Sequence, residues 1–130
     1  MRSATSASGL ARVALPARLV LLVLAVVTLG ACAGESPEVP LGPDGAPDEE
    51  LSLGRDVYSR RCANCHGAGG GGGTGPKLSE GQVVVDYPDP ADQRAVIANG
   101  RNAMPAFSGS LSTAEIDAVV RYTREVLSQP

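Results

Sequence analysis

The sequence predicts an all-α domain over residues 48–130, chiefly because a capped amphipathic helix can be drawn at each end of that stretch. Apolar or small residues recur at helical spacing between residues 51 and 62. Near the other end, Ser112 and Glu115 form a capping box that an apolar stripe follows. A run of three valines could form a short strand, but no other segment offers it a partner, so we predict a loop there.

The first helix is predicted to begin after Asp48, whose side chain can cap it. Glu49 and Glu50 then lie in the first turn, where the helix dipole favours negative charge. Gly54 lies inside this helix, although glycine is unfavourable at such a position. We therefore expect another helix to approach closely at Gly54.

A further helix is predicted in the second half of the chain, before the last one. Asp89 and Pro90 are typical of an N-cap and a first helical residue, and Gly100 is a typical C-terminal stop. The last helix is predicted to run from the capping box to about Ser128. Residues 79–88, which include the three valines, are predicted to be loop.

The motif at the centre of the chain is Cys62-Ala63-Asn64-Cys65-His66. Two cysteines three apart with a histidine directly after them have the spacing that attaches a c-type haem. Two thiols on one helical turn can each bond a haem vinyl group, and the histidine can then reach the iron. The chain lacks Trp and has only 3% aromatic residues, so a bound haem would supply apolar surface that its side chains do not.

Three other interpretations use the same residues. A redox-active Cys-x-x-Cys would need a strand before it and a βαβ pattern, whereas the preceding residues predict a helix. A zinc site would have Cys62, Cys65 and His66 but no fourth ligand nearby, since His66 is the only histidine. A structural disulfide between the two cysteines is the third alternative.

From about residue 51 to residue 127 the chain resembles a class I monohaem cytochrome c. The resemblance implies a fold in which the N- and C-terminal helices cross beside one covalently bound haem c. In that family the first helix contributes a glycine and an aromatic residue to the crossing, and the last helix contributes a small residue and an aromatic residue. Gly54 and Tyr58 match the first pair, and Ala118 and Tyr122 match the second. Thr123 departs from the pattern, because an aliphatic residue is more usual there.

The glycine-rich stretch at residues 67–75 is predicted to be a loop. It fits a dinucleotide-binding pattern only formally, since no strand precedes it, and a Walker A match fails at Pro76. The following Gly75-Pro76-Lys77-Leu78 resembles a segment in which the family's proline carbonyl accepts the Nδ1–H of the haem-binding histidine. The resemblance assigns that role to Pro76.

The segment around Met104 and Pro105 resembles the family's distal methionine loop, which implies that Met104 is the second axial ligand of the iron. The alternative is that Met104 only fills a gap in the core, as methionine often does. Met1 and Met104 are the only methionines, and there is no second histidine. His66 and Met104 are therefore the predicted metal ligands.

Residues 1–31 are predicted to be a signal peptide of the lipoprotein type. Residues 19–29 form an apolar run of signal-peptide length, too short for an ordinary membrane span. Residues 29–32 resemble a bacterial lipobox, which predicts that Cys32 carries a lipid. An ordinary secretory signal and an uncleaved anchor helix are the alternatives, and each of them exports the domain.

Residues 32–47 are predicted to be a lipid-anchored, disordered linker before the domain at 48–130. They contain four prolines and almost no apolar side chain, so nothing in them predicts order. In an extended, polyproline-like form, such a linker would reach about 45 Å at roughly 3.1 Å per residue.

The predicted function is one-electron transfer between redox complexes outside the cytoplasm, without enzymatic activity. The alternatives are an accessory haem subunit of a dehydrogenase or oxidase and a five-coordinate haem sensor or peroxidase, if Met104 is not a ligand. The chain has 11 basic and 14 acidic residues, and three of the basic ones lie in residues 1–31, which leaves a net charge of −6. We expect a monomer with a protein donor, a protein acceptor and a membrane anchor as partners, and no nucleic acid.

Overall fold

The computed structural model describes residues 34–129, and the predicted all-α architecture is confirmed. Its α-helices are α1 (Glu49–Arg61), α2 (Ala63–His66), α3 (Gln82–Asp86), α4 (Pro90–Asn99) and α5 (Thr113–Tyr122), and a π-helical segment (Thr123–Leu127) continues α5. Within residues 34–129 there is no β-sheet, and only two isolated β-bridges occur. The predicted starts of α1, α4 and α5 and the predicted stops of α1 and α4 agree with these bounds. The last α-helix was predicted to reach about Ser128 but ends at Tyr122, and the π-helical segment continues it to Leu127.

Helix α1 begins where the sequence predicts, at the Asp48 cap. The Asp48 carboxylate accepts a hydrogen bond from the backbone N–H of Leu51 at 3.0 Å. That bond and the nearby Arg121 guanidinium hold the pKa of Asp48 below its usual value. A lowered pKa means that the cap contributes stability at neutral pH and loses it as the pH falls through the folded-state pKa.

Helices α1 and α5 cross in direct backbone contact at Gly54. A Cβ atom at this position would collide with the Ala118 carbonyl and lie 2.7 Å from Cβ of Tyr122. The rings of Tyr58 and Tyr122 pack beside the crossing with their centroids 5.6 Å apart and their planes tilted by 47°. Both tyrosines and Ala118 are completely buried. The predicted close approach of a second helix at Gly54 is therefore present.

The three valines at 83–85 lie in helix α3, and the prediction of a loop was wrong. Gly81, in the left-handed region with φ of 77°, precedes the helix, and Val83 is 1% exposed. The neighbouring Val84 and Val85 point outward and are exposed. The buried Val83 side chain packs this short helix against the rest of the domain. The run of three valines in the sequence does not show which of them is buried.

Residues 34–47, which we name the N-terminal strap, pack against the domain, and the prediction of a disordered linker was wrong for them. Val39 is 9% exposed and belongs to the apolar core, and Ser36 is also buried. A turn follows at residues 42–46, where the Gly42 N–H donates to the Ala46 carbonyl. The strap returns to the start of α1 through the bridge between Leu41 and Pro47.

Polar contacts to the strap's backbone hold the strap against the domain, and its low content of apolar residues did not predict this. The Tyr122 hydroxyl donates to the Pro37 carbonyl at 2.6 Å, and Arg55 donates to the carbonyls of Ser36 and Pro37. Arg55 also pairs with Glu38 at 2.6 Å. Burial raises the pKa of Tyr122 to about 12, which extends the pH range over which its hydroxyl can donate to the Pro37 carbonyl.

The predicted signal peptide and the predicted lipid-bearing Cys32 lie outside the described residues. Within residues 34–129, no helix is both long enough and apolar enough to cross a membrane.

Replacing Gly54 by valine is expected to lower the free energy of unfolding by about 3 kcal/mol, because overpacking at a backbone contact forces the helices apart. Denaturant unfolding of the holo-protein, followed by circular dichroism, measures this change. Gly109→Ala is the matched control, since a Cβ there has no atom within 4 Å. Equal stability of Gly54→Val and Gly109→Ala would contradict the proposed need for close contact.

Candidate functional site

The Cys-x-x-Cys-His motif consists of Cys62, at the junction of α1 and α2, and the four residues of α2. Helix α1 ends at Arg61, and the Cys62 carbonyl then accepts hydrogen bonds from the backbone N–H groups of Cys65 and His66, both at 3.0 Å. Cys62, Cys65 and His66 are thus held on one short helical turn. The side chain of Cys65 is exposed, Cys62 is half-buried and His66 is buried.

The two cysteines are free thiols in this structure. Burial, helped by the neighbouring Cys65, raises the pKa of the Cys62 thiol to about 11. A redox-active or nucleophilic cysteine needs the opposite shift, because the thiolate is the reactive form. This protonated thiol argues against the thioredoxin-like alternative.

The His66 ring is fixed by Pro76, as the family resemblance implies. Its Nδ1 lies 2.8 Å from the Pro76 carbonyl oxygen, which can only accept a hydrogen bond, so Nδ1 carries the proton. The Nε2 atom is then the unprotonated nitrogen and is available to a metal. Gly75 lies directly against the ring, since a Cβ there would be 2.8 Å from Cε1.

The glycine-rich loop folds back over the motif by backbone hydrogen bonds. The N–H groups of Gly72 and Gly75 donate to the carbonyls of His66 and Cys65, both at 2.8 Å. The Tyr58 hydroxyl donates to the Gly67 carbonyl at 2.7 Å. This loop is therefore joined both to the helix crossing and to the motif, and the positive φ of Gly67, Gly70 and Gly72 accounts for glycine at those three positions.

Met104 lies in a tight loop after α4. The Arg101 N–H donates to the Met104 carbonyl, and the Met104 N–H donates to the Arg101 carbonyl, at 3.0 and 2.9 Å. The N–H of Phe107 bonds the Ile97 carbonyl and returns the chain to α4. Gly100 adopts a φ of 77°, and a Cβ there would lie 2.7 Å from the Met104 carbonyl, so this turn requires glycine.

A single cavity of about 730 Å³ is lined by Cys62, Cys65, His66, Pro76 and Met104. Small-molecule and cofactor sites typically measure about 300–1,000 Å³. The structure therefore brings all five predicted haem-site residues to one cavity. Much of the remaining wall is apolar and includes Leu78, Val83, Val96, Ile97, Phe107 and Val119. Two thiols on one turn, an oriented imidazole and a thioether around an apolar cavity fit a haem c.

A buried polar pair in the cavity wall explains the threonine that departs from the family pattern. Gln93 Nε2 donates to the Thr123 hydroxyl at 2.7 Å, and that hydroxyl donates to the Val120 carbonyl at 3.0 Å. Arg124 donates to Gln93 Oε1 at 3.3 Å. Each buried polar atom is therefore satisfied, and Thr123 and Gln93 depend on one another. The sequence showed Thr123 as an exception but did not show its partner.

Cationic side chains without a carboxylate partner gather at the cavity. Within residues 34–129, every lysine and arginine except Arg61, Arg101 and Arg124 has a carboxylate within 4.0 Å. Arg61 and Arg101 line the cavity, and Arg101 donates to the Tyr87 hydroxyl at 3.2 Å. Arg124 donates to the Tyr87 carbonyl at 2.7 Å. In an acidic domain, this leaves positive charge free near the cavity for an anionic ligand group.

Replacing Thr123 by valine is expected to destabilise the holo-protein by about 1–3 kcal/mol, because the buried amide of Gln93 loses its acceptor. Thr123→Ser keeps the hydroxyl and serves as the control. A Gln93→Leu/Thr123→Val double variant should recover much of the loss, since both partners are then apolar. Additive effects in the double variant, measured by denaturant unfolding, would show that the pair is not coupled.

Comparison with known proteins identifies relatives of this chain. Residues 49–122 match the family model described as cytochrome c oxidase, cbb3-type, subunit III. Cytochrome c6 of Leptolyngbya boryana is 36% identical over 75 residues, which are 56% of this chain and 88% of that protein. Dihydro-heme d1 dehydrogenase of Pseudomonas aeruginosa is 42% identical over 71 residues, 53% of this chain but 14% of that enzyme.

A solved structure agrees with these sequence matches at the level of the fold. Cytochrome CL of Methylophaga aminisulfidivorans superimposes with a TM-score of 0.52 and 23% identity, over 75% of this chain and 71% of that one. The family match spans the domain from the start of α1 to the end of α5, and cytochrome c6 is matched over most of its length. The chain belongs to the cytochrome c family.

Proposed function

We propose that this protein is a one-electron carrier whose haem c is bonded to Cys62 and Cys65 and ligated by His66 and Met104. The observation that carries the proposal is the single cavity lined by all four residues. Similarity to cytochrome c6 over 88% of that protein supports the carrier function. When bound, the haem supplies iron that alternates between the ferrous and ferric states.

The protein's own residues prepare the cavity for this role. The Pro76 carbonyl holds the His66 ring in one orientation through its hydrogen bond with Nδ1. The apolar wall formed by residues such as Val83 and Val119 excludes water, and both side chains are 1% exposed. A thioether from Met104 favours the ferrous state and leaves no open position for a substrate. We therefore propose electron transfer and no catalytic residue.

Arg101 and Tyr87 are the side chains that we propose for a haem propionate. Arg101 lines the cavity without a carboxylate partner, and its guanidinium and the Tyr87 hydroxyl are already within hydrogen-bond distance. Charge-assisted bonds from an arginine to a carboxylate are among the stronger hydrogen bonds in proteins. Arg61 directly precedes Cys62, on the side where the thioether bonds form, and is less suited to the propionate edge.

A second candidate function is an accessory haem subunit held permanently in a larger enzyme. The description of the matching family as an oxidase subunit favours it, and so does the similarity to a short part of a dehydrogenase. Purification in mild detergent distinguishes the two. A carrier elutes as a free domain with its haem, whereas a subunit elutes in a stable complex.

We also propose that the protein is exported and anchored to the membrane by a lipid on Cys32. The sequence before Cys32 resembles a lipobox, and covalent haem attachment in bacteria takes place outside the cytoplasmic membrane. A diacyl group supplies the two chains that stable anchoring requires, where one chain binds only reversibly.

Replacing Met104 by alanine is expected to lower the midpoint potential and to allow rapid binding of carbon monoxide to the ferrous protein. Met104→Leu is the matched variant, because it keeps the apolar volume and removes only the sulfur. Both variants should lose the weak long-wavelength band of a methionine–ferric bond. If Met104→Leu keeps the wild-type potential and binds carbon monoxide as slowly as wild type, Met104 is only a packing residue.

Replacing Cys32 by serine is expected to leave the protein without lipid, either uncleaved or released from the membrane, and without a change in the haem spectrum. The reason is that Cys32 precedes residues 49–122, the part of the chain that the family model matches. Flotation with membranes and mass spectrometry of the N-terminal peptide measure the change. A wild-type protein that is fully released after export and carries no lipid would overturn the anchor proposal.

A further inference from the structure

Only Ala33 separates Cys32 from the docked strap in the sequence. A free linker over residues 33–47 would reach about 45 Å in extended form. In the structure, however, the strap is docked over residues 34–47, and Val39 is part of the core. Cys32 lies only two residues before Gly34, and two residues span at most about 7 Å. An anchor on Cys32 would therefore hold the domain at the lipid surface.

The start of the strap also fixes which part of the domain is near the anchor. A Cβ built on Gly34 lies 3.7 Å from Cβ of Ala68, which belongs to the glycine-rich loop. Residues 67–76 of that loop carry no charged side chain. We name residues 67–76 the neutral loop. It is adjacent to the only end of the strap from which an anchor could extend.

Charge favours the same orientation. The chain from residue 32 onward has a net charge of −6, so most of its surface is repelled by an anionic bilayer. The neutral loop carries no charge of its own, and the exposed Glu35 and Glu38 at the start of the strap are paired with Arg55. The position of the anchor and the distribution of charge therefore favour the same face of the domain, the face that carries the neutral loop.

We propose that the docked strap holds the neutral loop against the bilayer, so that the carrier exchanges electrons with partners embedded in or lying on the same membrane. This proposal rests on the proposed lipid anchor at Cys32. It assigns the neutral loop as a lipid-facing surface and the strap as the element that sets the distance of the cofactor from the membrane.

Three contacts keep the strap docked, and two of them can be removed without touching the cavity. Arg55 bonds the Ser36 and Pro37 carbonyls at 3.2 and 3.1 Å and pairs with Glu38. Val39 supplies the strap's apolar contact with the core. The third contact, from the Tyr122 hydroxyl to Pro37, belongs to the helix crossing and is left in place. Val39→Ser/Arg55→Gln is therefore the releasing variant.

The first test measures the distance of the haem from the membrane. Full-length lipidated holo-protein is reconstituted in anionic vesicles that carry a headgroup fluorophore, and energy transfer to the haem is recorded. The releasing variant should show a several-fold loss of energy transfer. Arg60→Gln, which removes an exposed pair with Asp56 on the same helix, is the control and should match wild type.

The second test examines the face itself. Gly69→Glu/Gly71→Glu adds charge to the neutral loop at two positions where a Cβ meets no atom within 4 Å. This variant should lose energy transfer on anionic vesicles and keep it on neutral ones. Gly109→Glu is the control, because Gly109 lies at the opposite end of the last helical stretch from the neutral loop. Gly109 precedes α5, whereas Gly70 of the neutral loop contacts Leu127, at the end of the π-helical continuation of α5. The two ends of this helical stretch are roughly 22 Å apart at 1.5 Å per residue.

The outcomes separate this proposal from the anchor on which it rests. If wild type does not float with vesicles, the anchor fails and the orientation fails with it. If wild type floats but the releasing variant transfers energy as well as wild type, the anchor stands and the docked strap does not set the distance. Equal effects of Gly109→Glu and Gly69→Glu/Gly71→Glu would overturn the assignment of the neutral loop.

Discussion

The crossing of α1 and α5 at Gly54 supports both the cofactor cavity and the N-terminal strap. Helix backbones can touch there only because Gly54 has no side chain, and the contact buries Tyr58 and Tyr122 completely. Burial raises the pKa of each tyrosine further above neutral pH, and both hydroxyls act as hydrogen-bond donors. Tyr58 donates toward the glycine-rich loop at Gly67, and Tyr122 donates toward the strap at Pro37. One packing constraint therefore positions two segments that contain little apolar surface of their own.

The cavity has a largely apolar wall, and the buried polar side chains within it have hydrogen-bond partners. Thr123 and Gln93 satisfy one another within it, at the point where α5 changes to its π-helical continuation. The Thr123 hydroxyl also bonds a backbone carbonyl, a contact that competes with regular helical hydrogen bonds. Arg101 remains without a carboxylate partner, although acidic residues outnumber basic ones in the domain. Such an arrangement suits a largely apolar ligand that carries acid groups at its edge.

Order in the strap changes how membrane attachment would limit the carrier. A flexible linker would let the domain reach partners over a wide range of distances, whereas a docked strap fixes both distance and orientation. The contacts that dock it are individually weak, since partly exposed ion pairs contribute about 0–1 kcal/mol each. Arg55, Val39 and Tyr122 act on one short segment together, and their combined effect replaces the apolar run that the composition lacks.

The local sequence alone determined the cofactor motif, the starts of α1, α4 and α5, and the need for contact at Gly54. These features depend on the spacing of a few residues and on caps within one turn, which are visible along the chain. Only the tertiary structure showed that the strap is docked on the domain, that residues 83–85 are helical and which residue is the partner of Thr123. Each of these depends on a neighbour far away in sequence, such as Tyr122 for the strap or Gln93 for Thr123. Composition describes what a segment can bury by itself, and it cannot show the surface that another segment provides.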